Sequence, residues 1–135
     1  MYTKILVPLD GSPRAEAVLP HVREMAGRYQ AGILLFRVAE PPSMIPDANA
    51  MHPVLDEQEA RRLHQKARDY LADLSESLQE KGLAVRTRVG EGPIVEAILK
   101  IADREQAELI AIASHGRSGL SRVFYGSVAA GLLQR

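Results

Sequence analysis

Residues 113–128, ASHGRSGLSRVFYGSV, have the composition of a phosphate-binding loop. Glycines let a backbone approach a ligand closely, and a helix that begins at Gly126 would present unpaired N–H groups and a positive dipole end to an anion. Arg117 and Arg122 add cationic donors, and Ser127 adds a hydroxyl. The segment therefore predicts phosphate binding. A surface loop ahead of a glycine helix start is the alternative, because isolated glycines are common.

A second candidate group is Asp10, which follows the apolar segment 3–9 in the turn LDGSP. A carboxylate at the end of a buried strand can accept hydrogen bonds from ribose hydroxyls. Asp-Gly is also a common turn pair, so a purely structural role for Asp10 is the alternative. If the strands that end before Asp10 and Ser114 are neighbours, the carboxylate and the Gly-rich loop face one cleft.

Strands and helices that alternate along the chain must position these groups. Short apolar or β-branched runs predict strands at 3–9, 33–38, 83–89 and 108–113. Apolar residues at helical spacing predict helices from Ser12, over 56–81, from 94 and from 126 or 127. We expect Pro20 to kink the first helix and Gly82 to end the second. The long segment 39–54 and the segment 114–125 are predicted loops.

This alternation predicts an open parallel sheet with helices on both faces, because near-continuous apolar strands must be covered on both sides. Such sheets bind ligands at the carboxyl ends of their strands. The chain has 135 residues, which indicates one domain over 1–135.

Composition excludes several classes of function. The absence of Cys removes disulfides, thiolate metal sites and cysteine nucleophiles. Basic and acidic residues number 17 each and aromatics are 4%, which argues against a nucleic-acid partner. No apolar run approaches the length of a membrane-spanning helix, which is about 18 residues or more. The N-terminus lacks a signal-peptide pattern, so we expect a cytoplasmic protein without a membrane partner.

Four pieces of the chain resemble the universal stress protein (UspA-type) family, and the resemblance covers essentially the whole length. They are KILVPLDGS, ILLFRV, VGEGPIVEAIL and ELIAIASHGRSGLSRVFYGSV. Nucleotide-binding members have Gly, two residues, Gly, nine residues, then Gly followed by Ser or Thr. Gly116, nine intervening residues and Gly126-Ser127 match that pattern, whereas Ala113 stands in place of the first glycine.

The resemblance implies a Rossmann-like α/β fold of the HUP type and an ATP-binding stress-response protein that acts as a sensor or switch. It implies ATP or AMP as the nucleotide partner, Mg²⁺ or Mn²⁺ on the ATP phosphates, and a homodimer. By analogy Asp10 meets the ribose, the backbone near Val38 meets the adenine, and the Gly-rich loop holds the phosphates. The expected nucleotide-binding residues are Pro8, Leu9, Asp10, Val38, Ala113, His115, Gly116, Arg117, Gly119, Gly126, Ser127 and Val128.

Departures from the family pattern keep two other functions open. Ala113 adds a methyl group, which favours a dimeric interaction protein of the same fold that does not bind ATP. The sequence stops at Arg135, before the family's fifth strand, so we expect strand four to be an open edge.

A slow ATPase is the enzyme alternative. However, Ser114 and His115 have no evident orienting acid, so we assign no catalytic residue and expect at most weak ATP hydrolysis. No metal-ligand spacing is found either.

Overall fold

A computed structural model of the chain describes residues 4–39 and 57–112, and the backbone of 122–125. Its elements are β1 (Lys4–Pro8), α1 (Pro13–Glu16), α2 (Leu19–Tyr29), β2 (Gly32–Val38), α3 (Glu57–Gln79), β3 (Val85–Gly90), α4 (Ile94–Glu105), β4 (Leu109–Ile112) and β5 (Arg122–Tyr125). The strands form one sheet in the order β3-β2-β1-β4-β5.

The predicted open parallel sheet is confirmed. β1 pairs in parallel with β2 and β4, and β2 pairs in parallel with β3. The strand order reverses at β1, so the carboxyl ends of β1, β2 and β4 meet where such sheets bind ligands.

Segment 122–125 differs from its predicted loop, because Arg122–Tyr125 forms β5 and pairs antiparallel with β4. The expectation that strand four is an open edge is therefore wrong. The sequence RVFY is rich in β-branched and aromatic residues, which suit a strand. The glycines and arginines around it masked that signal, and its pairing with β4 depends on a tertiary contact. β5 precedes the predicted last helix, so it is not the family's fifth strand, which would follow that helix.

Helices cover both faces of the sheet, as predicted. Successive side chains of a strand point to opposite faces, so Ile33 and Leu35 of β2 pack with α2 and α3. Leu34 and Phe36, one residue further on in each case, pack with α4. These four side chains are at most 2% exposed, so β2 is covered from both sides.

The first predicted helix is divided in two by its proline. Its predicted start is confirmed, since the Ser12 hydroxyl accepts a hydrogen bond of 3.1 Å from the Ala15 N–H. The helix ends at Glu16, and Pro20 lies in the first turn of α2. A proline there lacks only an N–H that the helix does not need, whereas inside a continuous helix it would break a hydrogen bond. The predicted kink is thus an interruption of two residues, Ala17 and Val18, whose backbone keeps right-handed helical angles.

Candidate functional site

A cleft of about 420 Å³ opens at the carboxyl ends of β1, β2 and β4. Its wall on the α4 side is apolar and consists of Phe36, Val38, Ile94, Ile98 and Ile112. Asp10 and Arg37 are the charged residues among those that line it. A mostly apolar cleft with a few convergent polar groups is the usual form of a small-molecule site.

Several predicted binding residues lie together in this cleft, namely Pro8, Leu9, Asp10 and Val38. β4 adds Ile112, the residue directly before the predicted phosphate loop. The strand ends therefore converge as the sequence predicted. The other predicted residues, Ala113, His115, Gly116, Arg117, Gly119, Gly126, Ser127 and Val128, lie outside the described residues.

The Asp10 carboxylate is held by the turn that follows β1. Its Oδ1 accepts a hydrogen bond of 2.9 Å from the Ser12 N–H. Hydrogen bonding from Ser12, chiefly from its side chain, lowers the pKa of the Asp10 carboxyl below its ordinary value, and the nearby Arg37 guanidinium adds to this effect. Asp10 is therefore ionised at neutral pH and acts as an acceptor at the mouth of the cleft.

Arg37 is a cleft residue that the sequence analysis missed. The centre of its guanidinium lies 4.8 Å from the centre of the Tyr70 ring, within the range of a cation–π contact. The Tyr70 hydroxyl in turn donates a hydrogen bond to Glu16, so α1 and α3 hold the ring in place. Within the described part of the chain, Arg37 has no ion-pair or hydrogen-bond partner for its guanidinium. Its donors are therefore available to a ligand.

Gly11 gives the Arg37 guanidinium room to reach the turn after β1. Gly11 has a φ of +89°, and a Cβ built on it would lie 3.1 Å from Arg37 Nη1. A side chain here would be both strained and crowded. An arginine within the otherwise apolar strand GILLFRV was the sequence signal that could have identified Arg37.

Phe36 forms the inner wall of the cleft, and its ring lies directly against the backbone of β3. A Cβ built on Gly90 would lie 2.6 Å from Phe36 Cζ, so a larger residue there would displace the ring. Gly90 lies just beyond the strand predicted over 83–89, but it is the last residue of β3. Because Gly90 has no side chain, the Phe36 ring can lie against β3 and form the inner wall of the cleft.

Two other kinds of feature were sought among the described residues: membrane-spanning helices and metal-binding groups. None of the described helices combines the length and the apolar character that a membrane span requires. Over 4–39 and 57–112, no three His, Cys, Asp or Glu side chains come together in a group that could hold a metal ion.

The chain is similar to known proteins over its whole length. A model of the universal stress protein family matches residues 1–135. Universal stress protein MJ0577 of Methanocaldococcus jannaschii is 26% identical over 146 residues, which cover 100% of this chain and 90% of the relative.

Solved structures agree with that match. The structure of MJ0577 superposes with a TM-score of 0.72 at 26% identity, covering 100% of this chain and 90% of the other. A universal stress protein from Burkholderia pseudomallei gives a TM-score of 0.71 at 25% identity, covering 98% and 89%. A universal stress protein in complex with cAMP, 16% identical with a TM-score of 0.50 over 82% and 70% of the two chains, shares the fold. This chain belongs to the universal stress protein family.

Proposed function

We propose that this protein binds a nucleotide, ATP by its family resemblance, in the cleft at the carboxyl end of the sheet, and acts as a stress-response sensor or switch. The observation that carries the proposal is the convergence of Asp10, Arg37 and an apolar wall beside the end of β4. The Gly-rich segment predicted to hold phosphates begins at the very next residue of the chain.

Each part of the cleft suits one part of a nucleotide. The apolar wall can cover a flat base, and the Asp10 carboxylate can accept hydrogen bonds from ribose hydroxyls. Phosphates would then extend past β1 towards the loop after β4. A Mg²⁺ or Mn²⁺ ion would be held chiefly by the phosphates, a mode that needs few protein ligands.

A switch requires that nucleotide binding change a surface. The predicted phosphate-binding segment 113–128 contains β5, which pairs with β4. Nucleotide contacts with this segment would therefore affect β5, which lies at one edge of the five-stranded sheet. The resemblance also makes a one-domain, cytoplasmic homodimer without nucleic-acid or membrane partners part of this proposal.

Two neighbouring residues in the first turn of α4 provide a matched test. Ile94 and Val95 are 47% and 55% exposed, and of the two only Ile94 lines the cleft. Glu is well tolerated in the first turn of a helix, but at position 94 it would place a charged side chain in the apolar wall that covers the base and add negative charge to a cleft for an anionic ligand. We expect Mg·ATP at 100 times its Kd to stabilise the wild type and Val95→Glu by about 2.7 kcal/mol, and Ile94→Glu by far less. Thermal unfolding measures the effect.

The same preparation separates the alternatives. Denatured protein is first analysed by chromatography for released nucleotide. No nucleotide and no thermal shift in the wild type would overturn the proposal and favour the interaction protein without ATP. Equal shifts in the two variants would place the nucleotide elsewhere. Sustained phosphate release that Ile94→Glu abolishes would favour the slow ATPase.

A further inference from the structure

A second groove lies on the α4 face of the sheet, between β3 and α4, and its walls are cationic. Arg88 of β3 stands opposite Lys100 and Arg104 of α4, over a floor that includes Ala97 and Ile101. The groove measures about 210 Å³ and shares the Phe36 ring with the cleft, whereas Ile94, Ile98 and Ile112 line the cleft and not the groove.

Beside the groove, one carboxylate is shared among several cations. Glu105, whose side chain is 9% exposed, lies 3.1 Å from Arg88, 3.4 Å from Lys4 and 4.0 Å from Arg86. A single carboxylate offsets only one of these charges. The guanidinium side chains of Arg86 and Arg88 are still 61% and 46% exposed, so they can meet a further anion.

The remaining charges around the groove leave the positive excess in place. Glu91 lines the groove and Glu105 lies beside it, so two carboxylates stand against the four cations Arg86, Arg88, Lys100 and Arg104. Within the described ranges, Lys100 and Arg104 have no ion-pair partner. The whole chain carries equal numbers of acidic and basic residues, so this face is a local concentration of positive charge.

The strand beside these charges is at the edge of the sheet. β3 pairs with β2 on one side and, within the described residues, with no strand on the other. The Gln79 side-chain amide donates to the Val85 carbonyl at 3.2 Å, at the start of this strand. Charged side chains on an edge oppose pairing with neutral strands, but opposite charges on adjacent strands attract.

We propose that an extended acidic segment of a partner protein docks along β3 as an added strand, with its carboxylates over Arg86, Arg88, Lys100 and Arg104. Arg86 and Arg88 are two residues apart and so about 7 Å apart along the strand, the spacing of alternate side chains in an extended chain. A single-stranded nucleic acid fits less well, because such ligands need aromatic surfaces for stacking and the ring that lines the groove, Phe36, is 2% exposed. The proposal is independent of nucleotide binding.

Fluorescence anisotropy with a dye-labelled octapeptide of alternating Glu and Thr tests the proposal without added nucleotide. We expect saturable binding that weakens at least tenfold between low salt and 300 mM NaCl. The double variant Lys100→Glu/Arg104→Glu should lose binding by at least as much. Lys66→Glu/Arg68→Glu, which changes two exposed cations of α3 and gives the same net charge, should retain it. Circular dichroism checks the fold of both variants.

Three further peptides or oligonucleotides complete the test. A Lys-Thr octapeptide should not bind, and an octathymidylate should bind more weakly than the Glu-Thr peptide. Tighter binding of the oligonucleotide would overturn the proposal in favour of a nucleic-acid surface. An equal loss in the two double variants would show a general charge effect. A Glu-Thr peptide that is N-methylated at alternate backbone nitrogens should bind poorly, and unchanged binding would exclude strand addition.

Discussion

Two sets of charged side chains lie towards opposite ends of the sheet, and they differ in how their charges are satisfied. On the α4 face, Glu105 is nearly buried and contacts Lys4, Arg86 and Arg88. At the carboxyl end, Asp10 and Arg37 share a cleft but form no ion pair with each other.

The difference between these sets follows from burial. A carboxylate that is removed from water must be paired with a cation or a hydrogen-bond donor. The contacts of Glu105 with Lys4, Arg86 and Arg88 therefore belong to the interactions that hold the fold together. Asp10 is exposed and keeps contact with water, so it can remain ionised without a cationic partner. Arg37 is kept in place by stacking on Tyr70, and its donors have no partner among residues 4–39 and 57–112. The contacts of Glu105 thus contribute to stability, whereas the Arg37 guanidinium can contribute to binding in the cleft.

The two sets also differ in range along the chain. Lys4 and Glu105 are 101 residues apart, whereas Asp10 and Ser12 are two apart. Loss of the long-range contacts should therefore affect the whole fold, and loss of the local ones chiefly the turn.

The largest effect should come from Glu105→Gln. The substitution keeps the shape but removes the charge that three cations share, so we expect the free energy of unfolding to fall by about 2 kcal/mol. Asp103→Asn removes an exposed charge from the same helix and should change it by less than about 0.5 kcal/mol. Urea unfolding compares the two variants. Equal effects would mean that Glu105 is no more than another surface charge.

A smaller effect should follow from Ser12→Ala. The substitution removes the side-chain cap of α1 and the hydroxyl that helps to hold Asp10, and the loss of a cap destabilises a protein by about 1 kcal/mol. Ser12→Gly is the control, since glycine at a cap position loses only a few tenths of a kcal/mol. Thermal unfolding distinguishes them. A loss with Ser12→Ala as large as that with Glu105→Gln would contradict the contrast between local and long-range contacts.

The smallest effect should be the acid dependence that Asp10 contributes. Its pKa is lower in the folded than in the unfolded chain, so its contribution is fully present above the ordinary value of 3.8 and disappears as the pH falls through the lowered value. The stability difference between wild type and Asp10→Asn should therefore be constant from pH 7 to about pH 5 and shrink below about pH 4. Solvent screening keeps it small. Urea unfolding across this range measures it, and an unchanged difference at pH 2 would exclude ionisation as the cause.

Much of the fold could be predicted because its signals are local. Ser12 before Pro13 marks the start of α1, and Pro20 marks a break. Gly82, with a φ of +87°, lies in the turn where α3 ends, and its N–H donates to the Gln79 carbonyl at 2.9 Å. The spacing of apolar residues then distinguishes strands from helices. The alternation of strands and helices along the chain implies the parallel sheet. The positions of Asp10 and Val38 at strand ends followed directly.

Other features were decided only by tertiary contacts. β5 forms because Arg122–Tyr125 meets β4, and Gly90 is required because the Phe36 ring lies against it. Arg37 enters the cleft because Tyr70 of α3 holds its guanidinium.

The sequence by itself therefore determined the elements other than β5, their order along the chain, and the end of the sheet at which a ligand would bind. Those properties depend on turn residues, helix caps and apolar periodicity, which act over a few neighbouring residues. Tertiary structure decided which charges are paired and which stay free. Lys4, Arg86 and Arg88 become partners of Glu105 only after β1, β3 and α4 pack together. A side chain's partner depends on distances between elements, and sequence spacing does not encode those distances.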